Sequence, residues 1–374
     1  MKITKIDAIP LDARLKEPFK FGHVVRERSS NVLVRVETDE GLVGWGEACP
    51  VPQLTAETRE SVVSVLSERV EPFLRGRDPR SWRTTVSLLD RRLVGFTFTR
   101  AALETALLDL TGKAAGSPIW AILGGRYRET LPLHGSVGWD ERPEVMVETA
   151  TRQAAEFDTL KLYVGPGELA ADLDRLATAR AALGPATALI IDVNGLWSRS
   201  EALRAGPRLA ELGVRLVEQP LPARDPTGMR EVTRIYGERY GIDVAADEGI
   251  LSDVDAVYTA GTHAAAVATI GICKLGGPAA ALDAARSALA HGLSAMVGSV
   301  VELGIAAAAG AHLAACVPQL AYPSYLMGPR KYAQQITGDG MPIRDGVLTV
   351  PNGPGLGIEI DLDAIDALDM RKRV

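Results

Sequence analysis

The sequence predicts an α/β protein whose larger part is a closed parallel barrel, and three observations carry that prediction. From about residue 131, short apolar strands alternate with helical segments, which is the pattern of a parallel sheet. Eight such strands fit into about 200 residues, which suits a closed barrel better than an open sheet. Asp192, Glu218, Asp247 and Lys274 end successive strands at separations of 26, 29 and 27 residues, one βα repeat each.

The elements follow in order. MKITKIDAIPLDARL alternates like a strand, and NVLVRVETDEGLVGWGEA (31–48) reads as a hairpin around Asp39-Glu40-Gly41. Helical patterning occupies 56–74 and 99–116, and ILGGRYRETLPLHGSVG then closes one unit and opens another. The barrel strands read LPLHGSV, TLKLYV, ALIIDVN, VRLVEQP, DVAADE, AVATIGICKLGG, LSAMVGS and QLAYPS. The tail IRDGVLTVPNGPGLGIEIDL is strand-like again and is expected to pack back onto the first part. Its GPGLG (353–357) joins no strand to a helix within a βαβ unit, so a dinucleotide loop is rejected.

Composition narrows the function. An apolar content of 47% over 374 residues supports a large core. The charge of −6, without any basic run, argues against nucleic acid. Cys49, Cys273 and Cys316 lie far apart with no CxxC, which argues against a disulfide framework and a structural zinc. The N-terminus lacks the apolar centre of a signal peptide, and LGIAAAAGAHLAACVP is too short to span a bilayer. The expectation is a soluble, cytoplasmic protein with no membrane partner.

The strand in FDTLKLYVGPG turns Lys161 and Tyr163 to one face and Leu160, Leu162 and Val164 to the other. In a parallel barrel, residues one repeat apart at the C-terminal strand ends meet at one mouth. Three carboxylates meeting there would repel one another and raise their own pKa values; around a divalent cation they make a hard-oxygen site suited to Mg²⁺. One such carboxylate alone is more often a helix cap, but three at consecutive repeats, flanked by lysines, read as a site. Lys274, after AVATIGIC and before Gly276-Gly277, is expected at the end of a buried strand. Desolvation there would suit it to act as a general base, the alternative being a head that reaches solvent past its apolar stem. His134 reads as a hydrogen-bonded strand histidine, while it and Tyr322 are strand-end residues that could shape specificity.

Taken together, GWGEA, ILGGRYRETLPL, IIDVNGLWS, LVEQPL, AADEGI, ICKLGG, VGSVVELGIAAAAGAHLAA and GPGLGIEID resemble the enolase superfamily, in its mandelate racemase/muconate lactonizing (muconate-cycloisomerase-like) branch. The resemblance spans essentially the whole chain. It implies a modified (β/α)7β barrel over 127–344 and an α+β capping domain made of 1–126 with the tail 345–374. It implies that Asp192, Glu218 and Asp247 bind Mg²⁺, with Asn194 and Glu248 beside them, and that Glu302 contacts substrate. Cap loops around Phe19–Arg26, with Phe19 and Phe21, and around Cys49–Thr55 would close over the substrate. The implied reaction removes a proton α to a carboxylate and stabilises the enediolate on the metal. Relatives commonly carry Lys-x-Lys where this chain has Lys161 and Tyr163, which disfavours a two-lysine racemase. Lys161 would then orient a carboxylate or lower the phenol pKa electrostatically, and Tyr163 would serve as acid or second base.

The leading expectation is a cycloisomerase acting on an unsaturated dicarboxylic acid. Next come a dehydratase of a hydroxy acid (a sugar acid or hydroxy-amino acid) and an amino-acid or dipeptide epimerase. A non-catalytic protein that binds small acids is the reading from a different class. A homo-oligomer, dimer or octamer, is implied by the resemblance alone.

Overall fold

The computed structural model describes residues 1–52, 54–338 and 341–372. Its N-terminal part opens with β1 (Ile3–Pro10), β2 (Ala13–Phe21), β3 (Val24–Ser29), β4 (Val32–Thr38) and β5 (Val43–Ala48). The order β1-β4-β5 makes an antiparallel sheet, while β2 and β3 form a separate hairpin. The long helix Thr97–Ala115 packs directly on β5. The two glycines of GWGEA explain that approach: a Cβ on Gly44 would strike the carbonyl oxygen of Ala106, and one on Gly46 that of Ala102.

The barrel is the parallel series β7 (Gly135–Val137), β8 (Thr159–Tyr163), β9 (Ala188–Asp192), β10 (Val214–Glu218), β11 (Asp243–Ala246), β12 (Val267–Ile270) and β13 (Ser294–Val297). Residues 321–325 close the ring. Ala321 and Tyr325 donate to the carbonyls of Ala295 and Val297 at 2.9 and 2.8 Å, and Ser324 donates to Pro132 at 2.9 Å. His134 returns a bond to the Ser324 carbonyl at 3.1 Å. Seven parallel strands plus this closing segment match the expected barrel.

The first barrel unit differs from its sequence reading. LPLHGSV is split: β6 (Thr130–Pro132) pairs antiparallel with β15 (Val347–Thr349), itself paired with β14 (Ile343–Arg344), and only Gly135–Val137 enters the barrel sheet as β7. Further along the tail, Leu356 donates to Asp109 on the long helix at 2.9 Å, and Leu11 bridges Asp369. Among the described residues, no helix is long and apolar enough to cross a membrane.

Buried carboxylates tie the N-terminal part to barrel helices. Glu47, from GWGEA, accepts from Asn31 at 2.5 Å and from the backbone of Leu303 and Ala306 at 2.6 and 2.9 Å, at the start of helix Gly304–Cys316. Glu104 accepts from Ala279 at 2.5 Å, at the start of helix Pro278–Ala290. Each sets carboxyl oxygens where a helix leaves N–H groups without partners.

Candidate active site

Strand alternation builds the site. Ile190, Leu216, Ala245, Val267 and Met296 form a separate apolar cluster in the barrel interior. Two residues further along the same strands, on the same inward face, come Asp192, Glu218, Asp247, Thr269 and Gly298. An apolar plug therefore carries a polar layer at the C-terminal mouth. On β8 the inward positions are Lys161 and Tyr163, the latter paired in register with Asp192.

Lys161 is buried and reaches between two carboxylates, with Nζ 3.1 Å from Asp192 Oδ2 and 2.6 Å from Glu218 Oε2. Lys274 Nζ lies 2.6 Å from Asp247 Oδ1 and 2.5 Å from its backbone oxygen. Asn194 donates its backbone N–H to Asp192 at 3.0 Å and its amide to Glu248 at 3.2 Å, and Thr269 donates to Glu218 at 3.2 Å. Burial is the main reason that Glu218 is pushed up to about 8; Lys161 opposes it, while Asp192 and Asp247 add repulsion. Asp192 and Glu248 are raised as well, burial again first, with Asp247 among the repelling charges in each case. For Lys161, burial works downward, but Glu218 and then Asp192 outweigh it and hold its proton affinity well above the ordinary lysine value.

The backbone is strained where the layer is held. Five non-glycine residues among those described have positive φ, and three of them are Asn194 and Gln219, just beyond β9 and β10, and Val301, beyond β13. A β-branched residue at φ +63° is costly, by about 1–3 kcal/mol, and persists only where its surroundings hold it. Tyr332 donates to the Val301 carbonyl at 2.6 Å, and the Val301 N–H donates to Ser299 Oγ at 3.0 Å. Gln219 accepts from the N–H groups of Asp247 and Gly249 at 2.9 and 3.2 Å, so it sets the loop that carries the third carboxylate.

Above this layer, the β2–β3 hairpin with Val51 and Leu54 roofs a cavity of about 270 Å³. Phe19 and Phe21 stand edge-on to the Tyr163 ring, with centroids 5.3 and 6.3 Å away. Apolar walls come from both phenylalanines, Val51, Leu54 and Leu196. Arg26 enters from the hairpin, donating to the Val300 carbonyl at 2.7 Å with its guanidinium 5.5 Å over Phe21. Tyr163 is buried, and burial first of all lifts its phenol well above the usual 10.

The structure gathers Lys161, Tyr163, Asp192, Asn194, Glu218, Asp247, Glu248, Phe19 and Phe21 around one cavity. Three expectations change. Lys274 lies not at a strand end but in the helical turn Ile272–Leu275 after β12, buried and facing Asp247 from behind the lining. Glu302 is also set back from the cavity: Ser299 Oγ and the Val300 N–H donate to its carboxylate, as does Cys273 Sγ at 3.6 Å. Tyr322 is at the opposite end of the barrel, donating to Asp243 at the start of β11. His134 accepts no role at the mouth: it stacks on Tyr325 with centroids 5.1 Å apart, and burial lowers it to about 3. The sequence placed Arg26 only as the edge of a cap loop and gave Gln219 no role, although the latter sits inside LVEQPL; neither residue type reveals by itself what its side chain faces.

In chemistry the donors suit a hard divalent cation: all are oxygens, no cysteine lines the cavity, and its histidine, His23, is on the hairpin. Asp192, Glu218 and Glu248 are raised mainly by burial, and the neighbouring carboxylates add repulsion of the kind a cation relieves. Glu248 Oε2 is buried without a hydrogen-bond partner, and Glu218 Oε2 has only the unaligned ion pair with Lys161. In spacing, no three acidic, histidine or cysteine side chains among the described residues are drawn together closely enough to grip a metal. Two ammonium groups stand against the carboxylates instead. The residues fit the ion in type and charge once those lysine pairs loosen.

Comparison with known proteins agrees with this architecture. Residues 5–124 match the mandelate racemase/muconate lactonizing enzyme N-terminal domain, and residues 145–364 match the enolase C-terminal domain-like family. The chain is 30% identical to a chloromuconate cycloisomerase of Cupriavidus necator, over 98% of each chain. It is also 30% identical to the L-Ala-D/L-Glu epimerase of Bacillus subtilis, over 96% of this chain and 97% of that one. A solved muconate lactonizing enzyme from Pseudomonas fluorescens, complexed with muconolactone, superposes with a TM-score of 0.93 at 29% identity, covering 98% of this chain and 99% of that one.

Proposed function

The chain belongs to the mandelate racemase/muconate lactonizing branch of the enolase superfamily, and from that premise we propose that it isomerises a small unsaturated dicarboxylic acid by moving a proton at the carbon next to a carboxylate. One observation carries the choice among the family's reactions. The cavity is polar at two ends and apolar between them, with the carboxylate–lysine layer on the floor and Arg26 on the roof. Arg26 has no acidic partner among the described residues, and its guanidinium can accept a second carboxylate. A polyhydroxylated acid would need hydrogen-bonding partners along walls that are mostly Phe19, Phe21, Val51, Leu54 and Leu196, with His23 and Ser299 as polar exceptions. A two-base epimerase would need Tyr163 to take protons from carbon, and burial keeps its phenol protonated.

Asp192, Glu218 and Asp247 would hold a divalent cation, Mg²⁺ by the all-oxygen donor set, and when bound it supplies an electrophile that steadies negative charge on the substrate carboxylate. In ring closure, one carboxylate oxygen adds across the conjugated system while Lys274, whose ammonium reaches the cavity only once its pair with Asp247 loosens, delivers its proton to the carbon α to the other carboxylate. In ring opening, Lys274 takes that proton back as the carbon–oxygen bond breaks. Lys161 orients the carboxylate at the floor. Tyr163 stays protonated and donates a hydrogen bond, while the phenylalanine roof excludes water.

The test is turnover of cis,cis-muconate and substituted dienedioates, followed by ultraviolet absorbance, with NMR of α-proton exchange in D₂O. Lys274→Ala should abolish exchange, Tyr163→Phe should slow turnover yet leave exchange measurable, and Arg26→Met should raise KM far more than it lowers kcat. Exchange kept in Lys274→Ala and lost in Tyr163→Phe would reverse the assignment. Loss of exchange for opposite enantiomers of an amino-acid substrate in the two variants would replace it with an epimerase.

A further inference from the structure

On the far side of Phe19 from the active-site cavity lies a second one of about 580 Å³, walled by β2, the loop after β7, helix Pro143–Ala154 and the short helix Gly328–Lys331. Its charge opposes that of the chain as a whole. Six lining side chains are cations (Lys16, Lys20, Arg142, Arg152, Arg330 and Lys331) and two are anions (Glu17 and Asp140), in a protein of net charge −6.

The available carboxylates are already engaged. Arg152 holds Glu17 at 2.8 Å, Lys20 and Arg142 share Asp140 at 2.7 and 3.1 Å, and Arg330 is paired with Glu156. Lys16 and Lys331 have no acidic partner among the described residues. The Lys331 ammonium lies instead 3.8 Å over the ring of Phe19, a weaker substitute for an anion. Burial is the main reason that Lys331 is pushed down to about 8, with Glu17 opposing and Arg152 adding to it. A half-buried lysine in that position gains strongly from a negative neighbour.

We propose that this cavity is a second binding site, for a small polyanion carrying carboxylate or phosphate groups, with Lys331, Lys16 and Arg142 as its contacts. A pocket with an excess of one sign concentrates counter-ions of the other. Phe19 lines both cavities, with one face toward Lys331 and the ring edge-on to Tyr163. An anion that draws the ammonium off the ring therefore changes what holds the hairpin over the active site. This inference does not depend on the reaction proposed above, and its test uses no substrate.

The test is calorimetry on the full chain, freed of metal on a chelating resin, titrated with inorganic phosphate and separately with citrate. Saturable binding of either, weakened at least tenfold in Lys331→Met and at least several-fold in Arg142→Gln, supports the site. Circular dichroism confirms that both variants are folded. No saturable binding of either anion to the unaltered protein overturns it. So does binding that survives in Lys331→Met and is lost in Arg26→Met, which would put the anion in the active-site cavity.

Discussion

Lys161→Met is the sharpest probe of what the polar layer is for. Methionine keeps an unbranched stem of similar length but removes the ammonium lying 3.1 Å from Asp192 and 2.6 Å from Glu218. Taking one partner from a buried ion pair costs about 3–5 kcal/mol, because the remaining charges are left uncompensated. Glu218, already pushed up to about 8, can take a proton near neutral pH and soften the loss, so the lower end, about 3 kcal/mol, is expected. At about 2.1 cal/mol/K per residue, 374 residues give an unfolding entropy of roughly 0.8 kcal/mol/K, and the loss becomes a fall in Tm of about 4 °C. Added Mg²⁺ should then act unequally on the two proteins. In the unaltered protein an ion must displace two ammonium groups, and in the variant only that of Lys274 remains. Saturation near 100 times Kd stabilises by about 2.7 kcal/mol, so Mg²⁺ should recover most of the lost Tm and raise the variant more than the parent. Differential scanning calorimetry with and without Mg²⁺ reads both effects. An unchanged Tm in the metal-free variant, or a larger Mg²⁺ effect on the parent, would refute the reasoning.

Glu218→Gln should weaken Mg²⁺ binding at least tenfold by calorimetry, because it replaces one of three anionic oxygen donors with an amide; unchanged affinity would remove Glu218 from the ligand set. Glu104 is pushed up to about 8, mainly by burial, so the fold favours its protonated form. Its cost is absent below about pH 4.5 and grows as pH rises to about 8, reaching about 4–5 kcal/mol at 1.36 kcal/mol per pH unit. Urea denaturation should therefore show stability falling from pH 5 to 8, and Glu104→Gln should flatten that slope. Truncation after Arg344 removes β15, the Leu356 contact to Asp109 and the Leu11–Asp369 bridge. If the tail is part of the cap, as we propose, the truncated chain should lose turnover and unfold earlier while keeping its metal ligands; full activity would argue against that arrangement.

Much of this protein could be read from its sequence because two periodicities do the work. The alternation of apolar strands with helices determined a parallel barrel, and the spacing of Asp192, Glu218 and Asp247 at one βα repeat placed three carboxylates at a common mouth. Period-two alternation likewise put Lys161 and Tyr163 on one face of β8, which the tertiary structure turned inward. These are local properties of the chain, set by backbone geometry and by which side chains can be buried.

What the sequence could not settle depends on which side chains meet after the chain has closed on itself. Whether LPLHGSV enters the barrel whole was decided by competition from the distant strand β15 for Thr130–Pro132. Whether Lys274 and Glu302 face the cavity was decided by backbone after β12 and β13, where a helical turn and a strained Val301 redirect the chain. Tyr322 lies at the barrel base because the closing strand runs parallel to the others and Tyr322 comes early along it. Arg26 gained its place only when a hairpin from the first 30 residues crossed a mouth built some 270 residues later, where the Val300 carbonyl fixes it. Strand periodicity is written in neighbouring residues, whereas the partners of a long side chain are set by segments that sequence distance keeps apart until the tertiary structure brings them together.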